Sequence, residues 1–178
     1  MTVRGTVTIE RRRLVAPLGW PLRHMPIEVV TTTNLVMTAG LRYYAQRAAG
    51  EGETNTFRAF VLFENDVGIT PALADTYTDG GVPVGGTLKR MSSQFAKTDD
   101  QDPGNSVEAG PLVVTYAVTY GMAEANDVAI NGVAITNYAA GAPSASEPLL
   151  MHARFPAVTK TDQEELTIRV NHVFGNVV

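Results

Sequence analysis

The sequence predicts a mainly β protein: an antiparallel β-sandwich or jelly-roll-like domain with one short α-helix at about 38–49 and an extended N-terminal arm. Three observations carry that expectation. The chain holds 16 Gly and 10 Pro among abundant Thr and Val, a balance that breaks helices and suits pleated strands joined by turns. Several segments alternate apolar and polar residues with period two, as half-buried strands do. Only one segment shows helical spacing.

The elements follow in order. From Thr2 to Glu10, Val3, Gly5, Val7 and Ile9 alternate with Arg4, Thr6, Thr8 and Glu10, the pattern of a first strand. Arg11, Arg12 and Arg13 come next, then a segment with three prolines between Pro17 and Pro26. Proline at that density predicts an extended arm rather than a central strand, so residues 1–26 are read as strand plus arm and 27–178 as the sandwich domain. Trp20 and Arg23 lie on that arm. The Trp20 ring either packs back on its own domain or anchors in a neighbour's pocket, where Trp is enriched. Ile27–Thr33 is β-branched and reads as a strand.

In TAGLRYYAQRAAG, Leu41, Tyr44, Ala45 and Ala48 fall at the spacing of one helical stripe, with Arg47 near the C-terminal end and Gly50 as the stop. Phe57–Glu64 is apolar on both faces, which predicts a strand covered on both sides. Residues 65–86 and 97–111 read as long loops, with a strand between them at Thr87–Ala96. Alternation then returns in Leu112–Tyr120, Val128–Thr136, Leu149–Phe155 and Leu166–Phe174.

The chemistry-bearing residues are few. Cysteine is absent, which removes disulfides, thiolate nucleophiles and cysteine-ligated metals. There is no G-x-S-x-G elbow, no H-E-x-x-H and no phosphate-binding glycine loop. Of the three histidines, His152 and His172 sit in strands, where packing is the ordinary role and a two-ligand metal site the alternative. Asp99, Asp100 and Asp102 before Gly104 lack the alternation and closing glutamate of a calcium loop. Glu164 and Glu165 alternate faces, which does not suit an acid–base pair. No catalytic residue, cofactor site or metal site is expected, and the chain is read as non-enzymatic.

Charge is uneven: residues 1–60 carry a net +4 and residues 61–178 a net −8. Three arginines make a small footprint for nucleic acid, so Arg11, Arg12 and Arg13 are read as a charged strand end or as contacts to an acidic partner patch. Apolar runs fall short of the roughly 20 residues that span a bilayer, and no signal peptide opens the chain. A soluble protein with no membrane or nucleic-acid partner is expected.

The order of segments resembles a known group. TTTNLVMTAGLRYYAQRAAG, at 31–50, resembles an N-x-x-x-x-AGL helix opening found in tailed-bacteriophage tail-fibre, collar and related accessory virion proteins. A strand like FRAFVLF and a loop like GITPALADT follow, then PLLMHARFPAVTK at 148–160 and a closing alternating strand, ELTIRVNHVF, at 165–174. At 61–69 the family has a glycine-rich turn where this chain has VLFENDVGI. The resemblance implies a β-rich, oligomeric virion component assembled in the host bacterial cytoplasm. Its partners would be tail, collar or major capsid subunits and its own copies, with a trimer favoured. Arg11, Arg12, Arg13, Trp20 and Arg23 are the expected partner-binding residues. A capsid decoration (cement) protein is the alternative structural role. A carbohydrate-binding module is the alternative from another class, with Tyr77 and Tyr138 as its stacking aromatics.

Overall fold

The computed structural model describes residues 2–15, 23–50, 57, 59–64, 70–90, 97–98, 112–137 and 144–175. The long strands are β1 (Thr2–Val15), β2 (Arg23–Val36), β3 (Ala59–Glu64), β7 (Leu112–Tyr120), β8 (Ala129–Thr136), β9 (Leu149–Thr159) and β10 (Glu164–Gly175). Short strands β4 (Val82–Pro83), β5 (Lys89–Arg90) and β6 (Lys97–Thr98) flank them, and α1 (Thr38–Ala48) is the one α-helix among the described residues. The strands pair antiparallel in the order β4-β3-β8-β9-β2-β1-β10-β7-β6, with β5 beside β3.

The protein is mainly β and sandwich-like, and β2 is the hinge between its two halves. Along Arg23–Asn34 it pairs with β1, whereas only Leu35 and Val36 pair with β9. The path therefore turns a corner at Leu35, and the two half-sheets close on one core. Val7, Ile9, Tyr116, Val118, Tyr120, Leu166, Ile168 and Val170 face Phe60, Leu62, Ile130, Val133, Ile135, Leu150, Ala153 and Phe155 in a single buried cluster. Each Val, Ile, Leu or Phe side chain among them contributes roughly 1.5–3 kcal/mol when removed from water. The other face of β3 and β8 has its own smaller cluster, with Met37, Val61, Phe63, Ala134 and Leu149 under Tyr77 and Leu88. This is why Phe57–Glu64 reads as apolar on both sides.

Two expectations change. Of the segment expected as an extended arm, the described residues at either end are strand: β1 runs to Val15 beside β2, and β2 is already paired at Arg23. A bulge between Arg11 and Arg12 lets Pro26 lie opposite Arg12, so the proline sits beside an irregularity rather than in a regular ladder. The intervening residues 16–22, with Trp20, lie outside the described residues.

The second change concerns the helix. Its limits match the expectation and Gly50 follows at φ 76°, but Leu41, Ala45 and Ala48 are exposed. The inner face is Ala39, Gly40, Tyr43 and Tyr44. Backbone bonds fix that rotation, with Met37 N–H donating to the Leu150 carbonyl at 3.0 Å and Thr38 N–H to Leu73 at 2.9 Å. A Cβ on Gly40 would lie 2.4 Å from the Leu150 carbonyl oxygen, so the helix seats where glycine is.

Parts of the two expected long loops fall among the described residues. Residues 70–86 contain a 3-10 turn at Tyr77–Gly80 and β4. Of the strand expected at Thr87–Ala96, Lys89–Arg90 is paired with β3, and 91–96 lie outside the described residues. Lys97–Thr98 pairs with β7, while residues 99–111, with their three aspartates, also lie outside.

Candidate functional site

The outward face of the β2-β1-β10-β7 half-sheet is built from the alternation that buries its other side. Core positions Val7, Ile9, Ile168 and Val170 leave Thr6, Thr8, Thr167 and Asn171 pointing outward. Register aligns these into rows: Thr33, Thr6, Asn171 and Thr115 form one, and Thr31, Thr8, Arg169 and Ala117 the next. Thr115 Oγ1 donates to Asn171 Oδ1 at 2.9 Å, and the Thr119 and Thr167 hydroxyls bond at 3.0 Å. The result is a hydroxyl- and amide-bearing face of low net charge. Beside it on β2, Met25, Ile27 and Val29 are 50%, 44% and 58% exposed.

The arginine run is engaged within the chain. Arg13 Nη2 lies 2.7 Å from Glu164 Oε1, and Arg11 contacts both Glu164 (3.5 Å) and Glu28 (3.0 Å). Arg12 pairs with Glu10 at 2.7 Å. Glu164 is 1% exposed; burial raises its pKa, but the Thr161 N–H and the two guanidiniums outweigh burial and hold it below the usual range. Arg11 and Arg13 thus neutralise a buried carboxylate where β1 meets β10. Arg23 is paired opposite Val15 at the start of β2. The structure brings the three arginines together at one sheet end. Sequence reading missed their carboxylate partners, because Glu164 is some 150 positions away in the chain.

A second group was not legible in advance. Asn34 Nδ2 donates to His172 Nε2 at 2.8 Å, which makes Nδ1 the protonated nitrogen; Nδ1–H then donates to Tyr44 OH at 2.5 Å. Tyr44 OH lies 3.0 Å from Tyr116 OH. This chain ties α1 to β2, β7 and β10. Burial lowers the His172 pKa to about 4 and raises both tyrosines, so the imidazole is neutral. Gly5 makes room for it: a Cβ there would lie 1.6 Å from Asn34 Oδ1.

His152, Lys160 and Tyr77 are each engaged within the chain. His152 is buried with Nδ1 3.2 Å from Asp75, and does not meet His172 in a common site: the two are on strands of different half-sheets. Lys160, fully buried, donates to the Met122 and Thr161 carbonyls and to Asn126 Oδ1, fastening a loop in which Ala125 and Asp127 take positive φ. Tyr77 stacks obliquely on Phe63, and Tyr138 lies outside the described residues. Among the described residues no group of three or more His, Asp or Glu side chains is placed to hold a metal ion, and no helix is long and apolar enough to cross a membrane. Comparison with protein-family models, with curated proteins and with solved structures gave no match.

Proposed function

We propose that the chain is a non-enzymatic structural component of a tailed-phage virion, a tail, collar or fibre-attachment adaptor that acts by protein–protein assembly. The observation that supports this most is the ordered, weakly charged outer face of β2-β1-β10-β7 with the exposed Met25, Ile27 and Val29 at its border. A face whose side chains are already held in cross-strand rungs loses little entropy when a partner covers it. Exposed apolar groups beside it supply the area that drives association. The order of the sequence motifs supplies the virion context, and a cement protein of the head shell would use the same face.

Removal of residues 1–26 does not test this, because it takes β1 from the middle of the sheet. Outward substitutions do. Thr6→Lys with Thr115→Lys, and separately Val29→Lys, are expected to leave the melting temperature within a few degrees while reducing incorporation into particles. Labelled antibody on intact particles reads both incorporation and head-versus-tail position. Full incorporation of both variants, or absence of the wild-type chain from particles, would reject the proposal.

A further inference from the structure

Lys160 follows β9 directly and its side chain is fully buried, a rare place for an amine. The connection from β7 to β8 is pinned beside it. Asn126 pairs with Lys160 in an isolated parallel bridge, and the Asp127 N–H donates to the Lys160 carbonyl at 2.8 Å. On either side of Asn126, Ala125 and Asp127 take φ of 54° and 58°, left-handed conformations that alanine in particular adopts at a cost. Main-chain pairing and that local twist bring the two side chains together. Lys160 Nζ donates to Asn126 Oδ1 and, at 3.1 Å, to the Thr161 carbonyl. The Met122 carbonyl accepts from Asn126 Nδ2 at 2.7 Å and from Lys160 Nζ at 3.4 Å, so one acceptor holds both nitrogens.

A buried amine held against a carboxamide is a reactive pair. Glu164, Glu124, Asp127 and Asp162 favour its charged form, but burial outweighs them and lowers the pKa, which raises the share of neutral amine. The fold has already met the entropy cost of bringing the two groups into contact. Cysteine is absent, so a covalent tie in this chain has to use other side chains. We propose that Lys160 and Asn126 join after folding through an intramolecular isopeptide bond. Neutral Lys160 Nζ attacks Asn126 Cγ, the Nζ–Cγ bond forms and the Cγ–Nδ2 bond breaks. One Nζ proton passes to Nδ2, which leaves as ammonia, and the proton shed earlier by the lysine ammonium departs with it as ammonium. The step needs no oxidant or other co-reactant. It removes a charge that burial disfavours, and Asn126, only half-buried, leaves ammonia a way out to solvent. The bond ties the β7–β8 connection to the β9–β10 turn. Both cross between the half-sheets, so it clamps the sandwich where they cross, independently of the virion reading.

Mass spectrometry of the purified full chain tests this. The denatured chain is expected to weigh less than its sequence by one ammonia. After trypsin, residues 98–154, which carry Asn126, should appear joined to residues 155–169, with Lys160 uncut. That joined peptide separates the isopeptide from a succinimide at Asn126, which loses the same mass but links nothing. Asn126→Ala and Lys160→Arg should each show the mass of their own sequence and melt several degrees lower. Lys160→Arg keeps the positive charge and its donors, so it distinguishes a covalent tie from a charged clamp. Should either variant fail to fold, the wild-type peptide map decides alone. An unaltered wild-type mass, an ammonia loss confined to residues 98–154, deamidation of Asn126, or a cross-link that survives in Asn126→Ala would overturn the proposal.

Discussion

At the scale of single residues the informative feature is how buried polar groups find partners. His172 is held neutral by burial, with its folded pKa near 4 against 6.5 for the free side chain. A histidine whose pKa is depressed on folding gives full stability above the unfolded value and loses it as pH falls toward the folded one. The protein is therefore expected to lose about 3 kcal/mol between roughly pH 6.5 and 4 through this group. Denaturant melts across that interval read the loss, and His172→Gln should flatten the slope there; a wild-type profile that is already flat would refute the assignment. Glu164, with its pKa lowered, adds loss once pH falls below about its ordinary 4.5, so the upper part of the interval reports His172 alone of these two. None of these pairings was legible in the sequence. Asn34, Tyr44, Tyr116 and His172 come from four elements, and no spacing rule connects them.

At the scale of elements, existence was legible and limits were less so. The strands at 112–120 and 166–174 were plain because each keeps one face in the core, and period two survives wherever that holds. β1 and β2 were cut short because Pro17–Pro26 suppresses the strand signal, whereas the bulge and partner strands restore pairing up to Val15 and from Arg23. The helix shows the converse error. Its apolar stripe was read as Leu41, Tyr44, Ala45 and Ala48; of these Tyr44 packs on the core, and the seat on Leu150 turns Gly40 and Tyr43 inward beside it rather than the other three. Gly40→Ala tests that seat. Helix propensity alone predicts a gain of about 1 kcal/mol. The clash with a backbone carbonyl predicts a net loss of about 1–3 kcal/mol instead. Equilibrium unfolding that shows Gly40→Ala to be as stable as wild type or more so would exclude the tight docking of α1.

At the scale of the molecule, a weakly charged sheet face and an exposed apolar border point to self-association as well as to other partners. A trimer is expected by light scattering coupled to size exclusion, with a mass near three times 19.1 kDa, and Val29→Lys should return the monomer. A wild-type chain that stays monomeric at high concentration would count against the homo-oligomer. By itself the sequence determined the class of fold, the place of the helix and the scarcity of reactive groups, since these depend on local propensity, periodicity and composition. Only the tertiary structure decided that the arginines neutralise Glu164, that β2 serves both half-sheets, and that Lys160 meets Asn126. The reason is physical: those facts depend on contacts between residues far apart in the chain, and a one-dimensional pattern carries the direction of a side chain but not the neighbour it meets.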